Sequence, residues 1–264
     1  MSIIRFNGKD IHFNSKGKGS ALVLLHGFLE SLAIWEDFTK ELSNEFQVIS
    51  IDLPGHGKSE CIDSVHTMEL MADVVKTVLD FLYVKECVLI GHSMGGYVTL
   101  AFVKKYPESL KGFGLFHSHP LEETEEGKKN RTRTIDEVKK DHVSFVNQFI
   151  PGLFAQENAL RFDTQIKQLQ SAAMQMSKEG IIAALEGMKQ RENYSEILRN
   201  NPIPFLAILG KQDFRIPYEK MLPLFSLPDD SLICIINHVG HMGYFEAQNE
   251  TLHVIKCFMK KCFF

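Results

Sequence analysis

The chain has no run approaching the ~20 apolar residues that a helix needs to cross a bilayer. Its opening residues, Met1-Ser2-Ile3-Ile4-Arg5-Phe6-Asn7-Gly8, lack the apolar core of a secretory signal. The expectation is a cytoplasmic protein without a membrane partner. Excess positive charge is missing too: 29 Lys and Arg stand against 33 Asp and Glu, a net charge of -4 with a pI near 6.3. A chain without a broad positive field has little to attract phosphate, which argues against nucleic acid as a partner. Cysteine is scarce, and its five positions, 61, 87, 234, 257 and 262, form an odd, dispersed set with no C-x-x-C pair. That speaks against a disulfide framework and against a zinc site. Cys87 and Cys234 fall inside apolar runs, where a free thiol packs as a small hydrophobe. Internal repeats and low-complexity tracts are absent as well.

What remains is the composition of an ordinary globular protein, 44% hydrophobic and 23% charged over 264 residues, enough for one large core plus an elaboration. The start reads as a hairpin: Ile4 and Phe6 precede Asn7-Gly8, a pair that tolerates positive φ, and Ile11 and Phe13 follow it. Short apolar runs of strand length come next, at Ala21 to Leu25, Phe46 to Ile51, Cys87 to Ile90, Gly112 to Phe116, Ile203 to Leu209 and Ser231 to Ile236. Each is nearly continuous, as expected of strands buried on both faces. Helical patterns lie between them, the clearest being Met68, Met71, Ala72, Val75, Leu79 and Leu82 on one face. Strand alternating with helix predicts an α/β fold, a mostly parallel sheet flanked by helices, with ligands at the carboxyl ends of the strands.

The alternation fails between about 118 and 200, which predicts an inserted helical cap (118–200) on a core made of 1–117 and 201–264. The cap opens on a charged run from Glu122 to Arg133, read as a solvated face or a mobile loop without a role in binding an anion. Phe145, Phe149, Phe154, Met174, Met176 and Met188 are candidates for an acyl pocket, although holding the cap helices together is the simpler use for them.

Gly91-His92-Ser93-Met94-Gly95 fits G-x-S-x-G, and it follows a strand run directly and precedes a helical pattern through Val98, Ala101 and Phe102. A strand that turns sharply into a helix presents a serine hydroxyl at the sheet edge beside a helix N-terminus, where developing negative charge is favoured. A serine hydroxyl needs a base, and the base needs a carboxylate to orient it. Both should follow later strands. Asp213, in Gly210-Lys211-Gln212-Asp213, and His241, in Gly240-His241-Met242-Gly243, meet that requirement. Two backbone N-H groups, of Phe28 and Met94, are the expected oxyanion donors.

The rivals are weaker. His238 lies nearer its strand and lacks the flanking glycines of His241, and His26, His56 and His92 sit in motif turns that suit structural roles. His117 and His119 fall at a strand end and could line a pocket, although ordinary hydrogen bonding is the plainer reading. Asp52 precedes Ser93, and Pro54-Gly55-His56-Gly57 after it makes it a turn-stabilising residue. An acid after the preceding strand has only Glu122 and Glu123 to draw on.

Taken together, His26-Gly27-Phe28, Asp52-Leu53-Pro54-Gly55-His56-Gly57, the Ser93 elbow and the Asp213 and His241 turns resemble the α/β-hydrolase superfamily, in order and over essentially the whole chain. The likeness is greatest to small bacterial carboxylesterases and enol-lactonases. It implies an eight-stranded α/β-hydrolase fold and hydrolysis of a small-molecule acyl substrate (ester, lactone or thioester) without metal or cofactor, in a monomer or homodimer. Ser93 argues against the epoxide-opening and dehalogenating relatives, which use aspartate. Perhydrolases, acyltransferases, carbon-carbon hydrolases and slow ligand-binding receptors share the same triad.

Overall fold

The computed structural model describes residues 1–199 and 201–263. Eight strands form one sheet: β1 (Ser2–Phe6), β2 (Lys9–Lys16), β3 (Ala21–Leu25), β4 (Gln47–Ile51), β5 (Cys87–His92), β6 (Leu110–Phe116), β7 (Phe205–Gly210) and β8 (Ser231–Ile236). Helices α1 (Glu36–Leu42), α2 (Met68–Phe81), α3 (Met94–Lys105), α4 (Glu125–Phe149), α5 (Asp163–Met174), α6 (Lys178–Gln190), α7 (Ser195–Arg199), α8 (Tyr218–Phe225), α9 (Gly243–Glu246) and α10 (Gln248–Phe263) connect them. The spatial order is β1-β2-β4-β3-β5-β6-β7-β8, and only β2 runs antiparallel to its neighbours.

Local chemistry accounts for these elements. Asn7 and Gly8 both take positive φ, 50° and 80°, the backbone a two-residue hairpin turn requires. Strands β3 and β5 are buried along their whole length, as their unbroken apolar runs demand. Helix α2 starts at Thr67, whose hydroxyl accepts the Leu70 N-H at 3.1 Å, and it buries Met68, Met71, Ala72, Val75 and Leu79. Strand β7 begins at Phe205, two residues later than its apolar run, because Pro204 has no N-H to donate. The Pro204 carbonyl still accepts from Phe113 N at 3.0 Å.

Between β6 and β7 the described residues form helices and no strand. Helix α4 breaks at Asp141 (φ -154°, ψ 90°), whose carboxylate then caps the second half by accepting from Val143 N and Ser144 N at 3.1 Å each. Helix α6 docks on the loop after β4. Ala183 O accepts from His66 N at 2.9 Å, and a side chain at Gly180 would meet the Gly55 carbonyl oxygen at 2.6 Å. The chain passes from β3 to β4 on one side and to β5 on the other, so a crevice opens at the carboxyl ends of β3 and β5.

Candidate active site

Ser93 alone makes the turn from β5 to α3, with φ 49° and ψ -113°, a backbone state that costs an L-residue on the order of 1–3 kcal/mol. The surroundings hold it there: Ser93 N donates to Phe116 O at 2.9 Å, and its carbonyl accepts from the Ser118 hydroxyl at 2.7 Å. A side chain at Gly91 would collide with the Gly95 backbone, and one at Gly95 with the Leu25 and His26 carbonyls, so β5 meets α3 and α3 meets the end of β3 this closely only at glycine.

His241 follows β8, and its Nδ1 lies 2.7 Å from Asp213 Oδ2. Asp213, just past β7, accepts further on Oδ1 from Arg215 N at 2.9 Å and Ile216 N at 3.0 Å, and on Oδ2 from His117 Nδ1 at 3.0 Å. Burial opposes the Asp213 charge, but the two histidines and these hydrogen bonds hold its carboxyl well below the usual carboxylate range. A carboxylate partner on Nδ1 leaves Nε2 of a neutral His241 as the proton acceptor. Burial lowers the His241 pKa, and the neighbouring His92 and His117 lower it further against the pull of Asp213. A neutral, base-ready imidazole is the result.

For His117 the sequence left pocket lining or plain hydrogen bonding open. Its bond is to the carboxylate that orients His241, and it has φ 48° and a buried Nε2 without a partner among the described residues. The donor atoms of His117, Asp213 and His241 all lie within 4.8 Å of one another, and the two Nδ1 atoms are already engaged with Oδ2. A side chain at Gly243 would collide with the His117 ring, which gives that glycine its purpose.

A second buried network joins three loops. His92 Nδ1 lies 2.9 Å from Glu30 Oε2, and His92 Nε2 lies 2.9 Å from the His241 carbonyl. Both partners are acceptors only, so both ring nitrogens donate and His92 is an imidazolium. Burial opposes that charge, and the Glu30 carboxylate overcomes it and raises the His92 pKa. Glu30 also accepts from Gly27 N at 2.5 Å and from the Tyr244 hydroxyl at 3.1 Å. The loop after β3, the elbow and the His241 loop are thereby tied together. Among the described residues the Phe28 N-H next to this anchored Gly27 meets no backbone acceptor, and Met94, first residue of α3, has none within its helix. These are the two N-H groups expected from the sequence.

Ser93 and His241 open onto a cavity of about 450 Å³. Phe28 forms part of its wall, as do Phe149 and Met188, two of the six cap residues considered for a pocket. Phe154 packs instead against Phe162 and stacks on Phe245, and Met176 is buried. The charged run is mostly exposed, as a solvated face should be, but one side of it faces inward. Arg131 turns into the cavity because Gly127, Asn130, Arg131 and Thr134 share one face of α4, and Glu123, just before that helix, lines the cavity beside it. Arg215 and Tyr97 also line it and had no motif to mark them. His119 Nδ1 accepts from Leu121 N at 3.2 Å, so its Nε2 carries the hydrogen toward the Tyr97 oxygen 3.2 Å away. Burial and the Arg191 charge push the His119 pKa down to about 3, so the ring is neutral.

The rivals occupy structural places. Asp52 accepts from Leu32 N at 2.8 Å and Lys58 N at 2.9 Å, and His26 Nε2 accepts from Leu53 N at 2.9 Å. His56 is buried against Pro54 O at 3.1 Å, and exposed His238 pairs with Glu157 at 2.8 Å. Glu122 is absent from the cavity wall.

The profile of the alpha/beta hydrolase fold family matches residues 20–248, and the chain belongs to that family of hydrolases. A 2-hydroxy-6-oxononadienedioate/2-hydroxy-6-oxononatrienedioate hydrolase of Escherichia coli is 28% identical across 95% of this chain and 91% of its own. A thermophilic esterase from Thermogutta terrifontis, solved with malate bound, is 29% identical, with 99% of each chain covered and a TM-score of 0.95. An enol-lactonase from Burkholderia xenovorans shares the fold at 18% identity, with 98% of this chain and 100% of its own covered and a TM-score of 0.90. No helix among the described residues is long and apolar enough to cross a membrane.

Proposed function

We propose that the protein is a serine hydrolase that cleaves a small carboxylic ester, lactone or thioester through an acyl-enzyme. The observation that carries this reading is the meeting of a strained Ser93 and an Asp213-bonded His241 on one cavity wall. His241 Nε2 takes the hydroxyl proton as Ser93 Oγ bonds to the acyl carbon, and the negative oxygen that forms is received by the N-H groups of Phe28 and Met94. The carbon to leaving-group bond then breaks, and the departing oxygen or sulfur takes the proton from His241. Water repeats the sequence and frees Ser93. Residues 118–200 act as the cap over this chemistry, and five free thiols suit a reducing, cytoplasmic setting.

The identity with the Escherichia coli relative favours one second reading, hydrolysis of a carbon-carbon bond beside a ketone on the same triad. A panel of p-nitrophenyl esters, lactones and a vinylogous 1,5-diketone acid, run beside Ser93→Ala, separates the two. Ester turnover that Ser93→Ala abolishes is expected; diketone cleavage without ester turnover would replace the first reading with the second.

A further inference from the structure

The cavity above Ser93 is lined by three guanidinium groups, Arg131, Arg191 and Arg215, and by two carboxylates, Glu30 and Glu123. Glu30 is neutralised from beneath by His92. Glu123 serves two arginines with one oxygen: Oε2 receives both Arg131 Nε and, at 2.7 Å, Arg191 Nη1. Arg191 is held to the fold as well, since its Nε donates to Leu121 O at 3.0 Å and Nη1 to Met188 O at 2.9 Å. Arg131 is different, because among the described residues only its Nε is engaged. Arg215, exposed at the rim, has no carboxylate within ion-pair distance among the described residues. Its guanidinium lies over the Phe149 ring, 4.2 Å from the centroid, while its N-H is anchored to Asp213. The acid's own loop thus carries the unpaired cation to the cavity.

We propose that Arg131 and Arg215 form a carboxylate-binding subsite, and that the ester or lactone opened at Ser93 carries a free carboxylate. This rests on the reading that Ser93 attacks an acyl group. A guanidinium fork matches the two oxygens of a carboxylate, and Arg131 shares the one Glu123 carboxylate with Arg191 while Arg215 has no carboxylate within ion-pair distance among the described residues. Apolar wall from Phe149, Leu185 and Met188 provides for the carbon chain between the carboxylate and the reacting carbonyl.

The test uses a matched pair, the p-nitrophenyl half-ester of adipic acid and the same molecule with its carboxylate capped as a methyl ester. The intact protein is expected to favour the free acid in kcat/KM by at least about tenfold, the value of one charge-assisted contact, with the preference shrinking as salt rises. Arg215→Gln and Arg131→Gln should bring the ratio toward one, while Arg215→Lys keeps part of it. A ratio of one or below in the unmodified protein would overturn the proposal without any variant having to fold. Calorimetric titration of Ser93→Ala with adipate supplies a readout independent of turnover. Binding that weakens at least about tenfold with Arg215→Gln supports the subsite. No binding, or equal binding of inorganic phosphate, overturns it. Inertness toward both esters with adipate binding intact would sink the catalytic reading and leave the subsite; equal turnover of both esters without adipate binding would do the reverse.

Discussion

Replacing His92 by leucine removes the imidazolium paired with Glu30 and leaves a carboxylate 3% exposed with two neutral donors, Gly27 N-H and the Tyr244 hydroxyl. Breaking a buried pair by deleting one partner costs about 3–5 kcal/mol, because the surviving charge stays desolvated. In a chain of this length that corresponds to a fall in Tm of roughly 6–20 °C. The penalty depends on pH with a definite sign. In the unmodified protein Glu30 sits below its ordinary pKa of 4.5, burial being outweighed by His92, so its contribution holds above that value and is lost as pH falls through the lowered pKa. The His92 contribution is complete below 6.5 and is lost as pH rises through its raised pKa. In His92→Leu the lone Glu30 carboxyl gains by protonation, so the gap in Tm narrows as pH is lowered from 8 toward 5. Adding Glu30→Gln keeps an acceptor for Gly27 N-H and removes the stranded charge, which should return at least about 1 kcal/mol. Thermal unfolding followed by circular dichroism across that pH range measures all of this. A penalty below ~1 kcal/mol, or one that does not move with pH, would refute the ion pair as described.

Other consequences follow from the same geometry. His117→Ala removes one of four hydrogen bonds to Asp213, so kcat should fall about 10- to 100-fold, and the acid limb of the pH-rate profile should move; His117→Asn, which keeps an N-H donor, should restore part of both. A profile unchanged in His117→Ala would show that the bond does not act through His241. The kcat/KM profile itself should rise through a pKa below 6.5, since burial and neighbouring histidines lower the His241 pKa and only its neutral form accepts a proton. An acid limb above 6.5 would contradict that. Gly243→Ala drives a methyl group into the His117 ring and should destabilise the fold by about 1–3 kcal/mol, read as a lowered denaturation midpoint in urea.

The sheet was legible in the sequence because each buried strand had to be an unbroken apolar run, and the elbow because its strained turn needs Gly91 and Gly95 around Ser93. Asp213 and His241 were legible because both follow strand ends, and the loops there meet at one edge of the sheet. Three features were not. His117 meets Asp213 through the pairing of β6 with β7, a long-range register that no local pattern reports. Glu30 and His92 are 62 residues apart, and neither has a motif that names the other. The run Glu122 to Arg133 looked solvated because most of it is charged. Its inward face was readable only as the helical spacing of 127, 130, 131 and 134, which places Arg131 one turn before the buried Ile135.

Ser93 as the nucleophile is tested most directly by intact and peptide mass spectrometry after reaction with a fluorophosphonate. One covalent phosphonate on the peptide carrying Ser93, absent in Ser93→Ala and slowed in His241→Ala, with ester turnover lost in step, is the expected result. An unlabelled Ser93 in protein that still hydrolyses esters would contradict it.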